Sequence, residues 1–313
     1  MASDPYGELS TLTGAQQTMM TWASVVECLD DVPEVFRKSY RMVATEGGGS
    51  TPPYTVYAPP MEGPSLKIIG HKPPPKLLCE LGDTIYLWER ADDRVTMVAY
   101  PLKDISDLEV GEIHLYSWIT IGGVTQDEIA RSSTVEFNLA TARHFAPFAN
   151  KIRPAPRYVD EREESEQRHK LDYLGFWSLK FRNYALESLV GGDKIIQTLW
   201  QPETCKPVLK VGGRVFYQTT LSLARAAILT DRELIIIQDD ERSREIRGAR
   251  YGGKRQYIAL SHISGVSLPD DAGDLVRLCL TLSPGGRQME IIFSASRKEQ
   301  IAQLQDELER LIG

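Results

Sequence analysis

Six basic residues, Arg242, Arg244, Arg247, Arg250, Lys254 and Arg255, fall within one polar stretch. Guanidinium and ammonium groups gathered this closely could hold a phosphate through charge-assisted hydrogen bonds. Asp239, Asp240, Glu241 and Glu245 dilute that charge, and a solvated loop face is the competing reading. Other chemistry finds less support. The histidines His71, His114, His144, His169 and His262 have no HxH or HxxxH spacing and no cysteine beside them, so no zinc site is predicted. The carboxylate pairs Asp92-Asp93, Asp239-Asp240 and Asp270-Asp271 sit in predicted turns, where aspartate bonds its own backbone. A catalytic pair would need two different environments to split its pKa values. Gly47-Gly48-Gly49-Ser50 lacks the lysine of a phosphate loop, and neither GxSxG, GxGxxG after a strand nor DxDxDG spacing occurs. The pattern predicts no metal, no cofactor and no enzyme.

The remaining composition narrows the class. The 313 residues suffice for two ordinary domains, and 42% hydrophobic with 25% charged residues is a globular balance. Cys28, Cys79, Cys205 and Cys279 are scattered without a CxxC pair, which reads as a reducing, cytoplasmic setting. Met1 to Trp22 has neither a basic start nor an apolar run, so a signal peptide is not expected. No run approaches the roughly 20 apolar residues of a membrane span. The net charge of −7 is uneven: residues 1–153 hold 13 basic and 20 acidic side chains, residues 172–313 hold 19 and 18. Neither half carries the positive field of a nucleic-acid binder.

What must position these residues is a repeat. Tyr57, Pro59, Leu66, Lys67 and Gly70 match Trp200, Pro202, Leu209, Lys210 and Gly213 at an offset of 143. Leu102, Ile105, Ser106, Leu108 and Val110 match Leu260, Ile263, Ser264, Val266 and Leu268 at 158. Val135, Phe137, Phe145, Phe148 and Ile152 match Ile291, Phe293, Ile301, Leu304 and Leu308 at 156. Preserved order with a shifting offset is the mark of one unit duplicated and altered in its loops.

Each copy reads as strands closed by a helix. In the second, Ala226–Leu229, Leu234–Ile237, Tyr257–Leu260, Val276–Leu282 and Met289–Phe293 are β-prone runs between Gly, Pro, Asp and Ser clusters. Leu275 to Leu282 is nearly continuous and ends at the hairpin signal Ser283-Pro284-Gly285-Gly286; its counterpart is Ile113 to Ile121, ending at Gly122-Gly123. Ser296 to Glu299 fits a capping box ahead of Ile301, Leu304, Leu308 and Leu311 on one face. Pro147 should kink or shorten the matching helix in the first copy. Helical lead-ins are expected at Trp22 to Val43, broken near Pro33, and along Leu171, Leu174, Trp177, Phe181 and Tyr184. Pro154 to Lys170 reads as a connection, helical in its second half. The loops differ: Asp239 to Gln256 is long where Arg90 to Arg94 is short, and Val124 to Ser133 is extra in the first copy. Specialised function is expected in such unequal loops.

Leu81-Gly82-Asp83-Thr84-Ile85-Tyr86-Leu87, Leu229-Thr230-Asp231-Arg232-Glu233-Leu234-Ile235, Leu115-Tyr116-Ser117-Trp118 and the closing helices together resemble the pleckstrin-homology-like superfamily, in particular its bacterial PH-like and GRAM-like members. The resemblance implies a β-rich α+β chain of two tandem PH-like sandwich or barrel domains, each with a C-terminal capping helix and a helical lead-in. The first would span residues 1–153, a charged linker 154–171, and the second 172–313. The frame does not imply one function, since it hosts lipid, peptide and protein recognition. In members that bind inositol phosphates, the hairpin after the first strand supplies the basic residues. Here that place holds Lys67, Lys72 and Lys76, and Lys206, Lys210 and Arg214. The expectation is a non-enzymatic binding or scaffold protein that recognises a protein partner through surface loops, cytoplasmic or peripheral to a membrane. The alternative is inositol-phosphate or anionic-lipid binding through the basic hairpins. Pro52-Pro53, Pro59-Pro60 and Pro73-Pro74-Pro75 read as rigid connectors, with a PxxP ligand role as the other option.

Overall fold

The computed structural model describes residues 19–46, 53–61, 72–211, 214–243, 245–246, 249–269 and 273–313. Gly47 to Ser50, Pro52, Leu66, Lys67, Gly70, His71, Gly213, Arg244, Arg247 and Asp270-Asp271 lie outside these residues. The fold is β-rich, with several antiparallel sheets and a C-terminal helix.

The first half opens with a meander: β1 (Ser24–Val25), β2 (Tyr54–Ala58), β3 (Lys76–Leu81), β4 (Thr84–Ala91) and β5 (Arg94–Pro101), paired in that order. A second meander follows, β6 (Ile105–Ile113), β7 (Tyr116–Val124) and β8 (Ala130–Asn138). Helix α1 (Glu34–Glu46) precedes β2, and a short helix α2 (Ala146–Ile152) closes the half. After α3 (Glu161–His169), α4 (Leu174–Trp177) and α5 (Leu179–Ser188), the second half repeats the order. Its four-strand meander is β9 (Ile195–Gln201), β12 (Arg225–Thr230), β13 (Glu233–Gln238) and β16 (Gly253–Ala259). Two hairpins are inserted in it, β10 (Thr204–Val211) with β11 (Arg214–Ser222), and β14 (Glu245–Ile246) with β15 (Ala249–Arg250). Then come β17 (Ile263–Ser267), β18 (Leu275–Leu282), β19 (Arg287–Ser294) and the closing helix α6 (Lys298–Ile312).

The second and third blocks of matched residues fall at corresponding places in the two halves. Leu102–Asp104 and Leu260–His262 are both 3-10 turns that hand over to a strand at Ile105 and Ile263. Asn138 accepts from the Ala140 N–H at 3.0 Å, and Ser294 accepts from the Ser296 N–H at 3.4 Å, so each closing helix is approached through the same side-chain cap. The cap in the second half is thus Ser294, not the box at Ser296; the 3-10 turn Ala295–Arg297 intervenes before α6 starts. Pro147 lies in the first turn of α2, where its missing N–H costs nothing, and the helix is 7 residues long against 15 for α6. Phe148 and Leu304, at 0% and 1% exposure, are the plugs of the two cores.

Three readings of the sequence change. Ile113 to Ile121 is not one strand: the chain turns at His114-Leu115, and β7 continues through Gly122 and Gly123. A Cβ at Gly123 would run into the backbone of Asp104 and Ile105, so glycine here permits a close approach rather than a turn. Trp22 to Val43 is helical only from Glu34; before Pro33 it forms β1 and a 3-10 turn at Leu29–Asp31, where the Asp31 carboxylate accepts from the Glu27 and Cys28 N–H groups. The β-prone runs also omit Ile195–Gln201 and Ile263–Ser267, whose apolar patterns polar residues and Gly265 interrupt.

Both meanders are covered on two faces, apart from the exposed start of β5. The lead-in helix α1 lays Phe36, Tyr40 and Val43 over Leu77, Cys79 and Trp88. Burial there pushes the Cys79 thiol up to about 11, so it packs as a small hydrophobe. In the second half, α5 sets Phe181, Tyr184 and Ala185 in one core with Ile228, Ile235, Ile237 and Tyr257. That core also contains Leu108, Ile119, Val135 and Phe148, so it runs under both halves. The sheets join as well. β6 pairs with β16, giving a seven-stranded sheet in the order β8-β7-β6-β16-β13-β12-β9.

Candidate interaction site

The strand junction explains where the basic stretch goes. β6 presents Asp107, Glu109 and Glu112 to the second half. The Lys254 ammonium meets Glu109 at 2.8 Å, the Arg287 guanidinium pairs with Asp107, and the Tyr184 hydroxyl donates to Glu112 at 2.7 Å. Beside them β7 offers a stacked pair, Tyr116 and Trp118, with ring centroids 5.3 Å apart. Gly111 makes room for it, since a Cβ there would penetrate the Trp118 ring. The Trp118 indole N–H donates to Glu109 at 2.8 Å. Arg242 lies over this pair, 4.2 Å from the Trp118 centroid and 5.3 Å from that of Tyr116. Its guanidinium forks onto Asp240 at 2.9 and 3.0 Å. Arginine stacked on an aromatic face while paired with a carboxylate uses both of its binding modes. Burial pushes the Tyr116 hydroxyl up to about 12. Burial works against the Asp240 carboxylate, but hydrogen bonds from Arg242 outweigh it and lower its pKa.

Arg250, Lys254 and Arg255 of that stretch are committed too. Arg250 holds Glu203 at 2.9 Å and the Ser243 carbonyl at 2.7 Å. Arg255 holds Glu187 at 2.9 Å and lies 4.9 Å from the Tyr184 centroid. Lys254 and Arg255 are not loop residues at all: Gly253 to Gln256 belong to β16, where strand pairing with β6 replaces the expected loop. Of the basic residues anticipated as one cluster, Lys254 and Arg242 thus meet the first half, while Arg250 and Arg255 pair with Glu203 and Glu187 of the second. Lys76 likewise turns inward from the start of β3. It is 5% exposed, 2.7 Å from Glu136 and 3.4 Å from Glu89, and cannot serve a surface hairpin. Lys206 stands at the surface with Asp274 2.7 Å away, and Lys72 is exposed. Lys210 and Arg214 lie at the tip of the β10–β11 hairpin, where Val211 faces Arg214.

A different surface stands out at the corner between α4 and α5. Phe176, Trp177 and Leu179 are 89%, 67% and 69% exposed. The expected stripe placed Trp177 inward with Leu174 and Phe181. Ser178 breaks it: its backbone is extended, ending α4, and its hydroxyl caps α5 at the Phe181 N–H. The break resets the helical phase, so Leu174 and Phe181 face the core while their neighbours face out. The corner is held rigidly. Lys180 donates to the Arg250 and Gly252 carbonyls at 2.9 and 3.0 Å and pairs with Asp239. That brings Tyr251 beside it, half exposed and stacked on His114 of the first half. Consecutive exposed aromatics on a fixed frame are what interface anchors look like. The clue in the sequence was Ser178, a capping residue inside an apolar period.

A recess of about 240 Å³ between α1 and the Val26–Leu29 segment is the other concavity of note, lined by Val26, Leu29, Tyr40, Ala44 and Leu81 with Cys28 at its side. Among the described residues no three His, Cys, Asp or Glu side chains converge as metal ligands would, and no helix is long and apolar enough to cross a membrane. No protein-family model matches the chain, and no curated protein matches it either.

Proposed function

We propose that the chain is a non-enzymatic recognition or scaffold protein of two PH-like units, acting in the cytoplasm, and that it binds a protein partner. The repeated order of a strand meander, three further strands and a closing helix supports the PH-like reading. The observation that carries the functional reading is the exposed corner Phe176, Trp177 and Leu179. Aromatic side chains on rigid backbone supply large contact area at low entropic cost, and they dominate protein interfaces. Arg242, Arg250 and Arg255, which an anion site could have used, are each paired with a carboxylate of the second half.

A photo-reactive residue placed at Phe176 in the native host tests this. The expected result is a discrete crosslinked protein adduct that disappears when Trp177→Asp is added, with the melting temperature unchanged because Trp177 is exposed. Absence of any adduct, or an adduct indifferent to Trp177→Asp, contradicts the assignment of this corner.

A further inference from the structure

The two halves use the edge of their fourth strand differently. Inside the chain, β6 pairs with β16, and Tyr257 faces Leu108. The alignment of Leu102 with Leu260 and of Ile105 with Ile263 puts Ala99 at the place of Tyr257, and Val266 at the place of Leu108. The same pairing can be written between copies, β5 of one chain against β17 of the next. Among the described residues, β5 pairs only with β4 and β17 only with β18. A head-to-tail contact of this kind builds a ring where the rotation closes and an open fibre where it does not.

The turn beside the fourth strand decides whether that contact forms. Tyr116 faces Asn138 as Leu275 faces Ser294, so Val124 and Ala130 stand where Ser283 and Gly286 stand. Between them the second half has only Pro284 and Gly285, and the edge of β16 is left to β6. The first half has Thr125–Ile129, and this longer loop folds onto β5. The Gln126 N–H donates to the Ala99 carbonyl at 2.9 Å, at the residue that would face the next chain. The loop is closed on itself by the Thr125 N–H to the Ile129 carbonyl at 3.0 Å, and it carries Asp127 and Glu128 outward. Covering loops and charged residues are the usual means of keeping a strand edge from pairing.

We propose that Thr125–Ile129 is an edge cap that blocks head-to-tail strand pairing between copies of this chain, β5 of one to β17 of the next. The occupant it excludes is a second copy, because the internal β6–β16 junction already joins these two strand positions. The proposal stands apart from the recognition reading.

Two variants test it by analytical ultracentrifugation over a wide concentration range, with circular dichroism confirming the fold. One replaces Thr125–Ile129 by Pro-Gly; the other is Gln126→Pro, which removes the donor and keeps the loop length. The expected result is a constant mass for the unaltered chain and, for the variants, a mass that rises with concentration beyond that of two chains. Adding Met97→Lys on the exposed part of β5 should return them to the original mass. An unaltered chain that itself polymerises, folded variants that keep the original mass, or a plateau at two chains overturns the proposal. Should the shortened loop fail to fold, Gln126→Pro alone decides.

Discussion

Arg242 joins the two halves through four groups at once: the Asp240 fork, the Trp118 and Tyr116 faces, and the Tyr116 hydroxyl at 3.3 Å. Its seat depends on Gly111, over which the Trp118 ring lies. Gly111→Ala should therefore displace the indole and cost about 1–3 kcal/mol, the range of overpacked cores; a denaturant midpoint equal to that of the unaltered chain would contradict this. Asp240 adds a pH dependence. Its pKa is lowered in the folded chain. A carboxyl of that kind contributes stability above its unfolded value, about 3.9, and loses it as pH falls through the lower folded value. Asp240→Asn should flatten part of the stability loss below about pH 4, and denaturation curves with identical acid limbs would rule the pair out as a contributor.

At the scale of elements, the closing helices carry the clearest stability prediction. Phe148→Ala and Leu304→Ala each empty a fully packed site, at a cost of about 2–5 kcal/mol. A loss below about 0.5 kcal/mol in chemical denaturation would mean that the helix does not close its half. These plugs were legible in the sequence because Phe148 and Leu304 recur at one offset within an apolar helical period. The strand order was legible for the same reason, as matched blocks kept their succession. What local pattern could not show was register. β16 begins at Gly253, four residues before its apolar run, because Lys254 and Arg255 are strand residues whose partners come from a distant β6. Nor does the apolar period reveal helical phase here, because the Ser178 cap that splits α4 from α5 resets it.

For the whole molecule, the uneven charge acquires a structural meaning. The acidic first half presents Asp107, Glu109 and Glu112 on β6, and the second half answers with Arg287, Lys254 and the Tyr184 hydroxyl. The candidate site was only half legible on this account: the basic residues were visible, but their carboxylate partners are remote in sequence, as Arg250 and Glu203 illustrate. The seam engages Lys254 and Arg287, while Lys72 and Lys206 stay at the surface. Recognition of protein rather than anionic lipid can be tested by vesicle flotation at low ionic strength, where electrostatic attraction is strongest. The protein should stay in solution with phosphatidylserine and phosphoinositide vesicles. Flotation that salt reverses, and that the double variant Lys206→Glu with Lys210→Glu abolishes without changing the melting temperature, would contradict it.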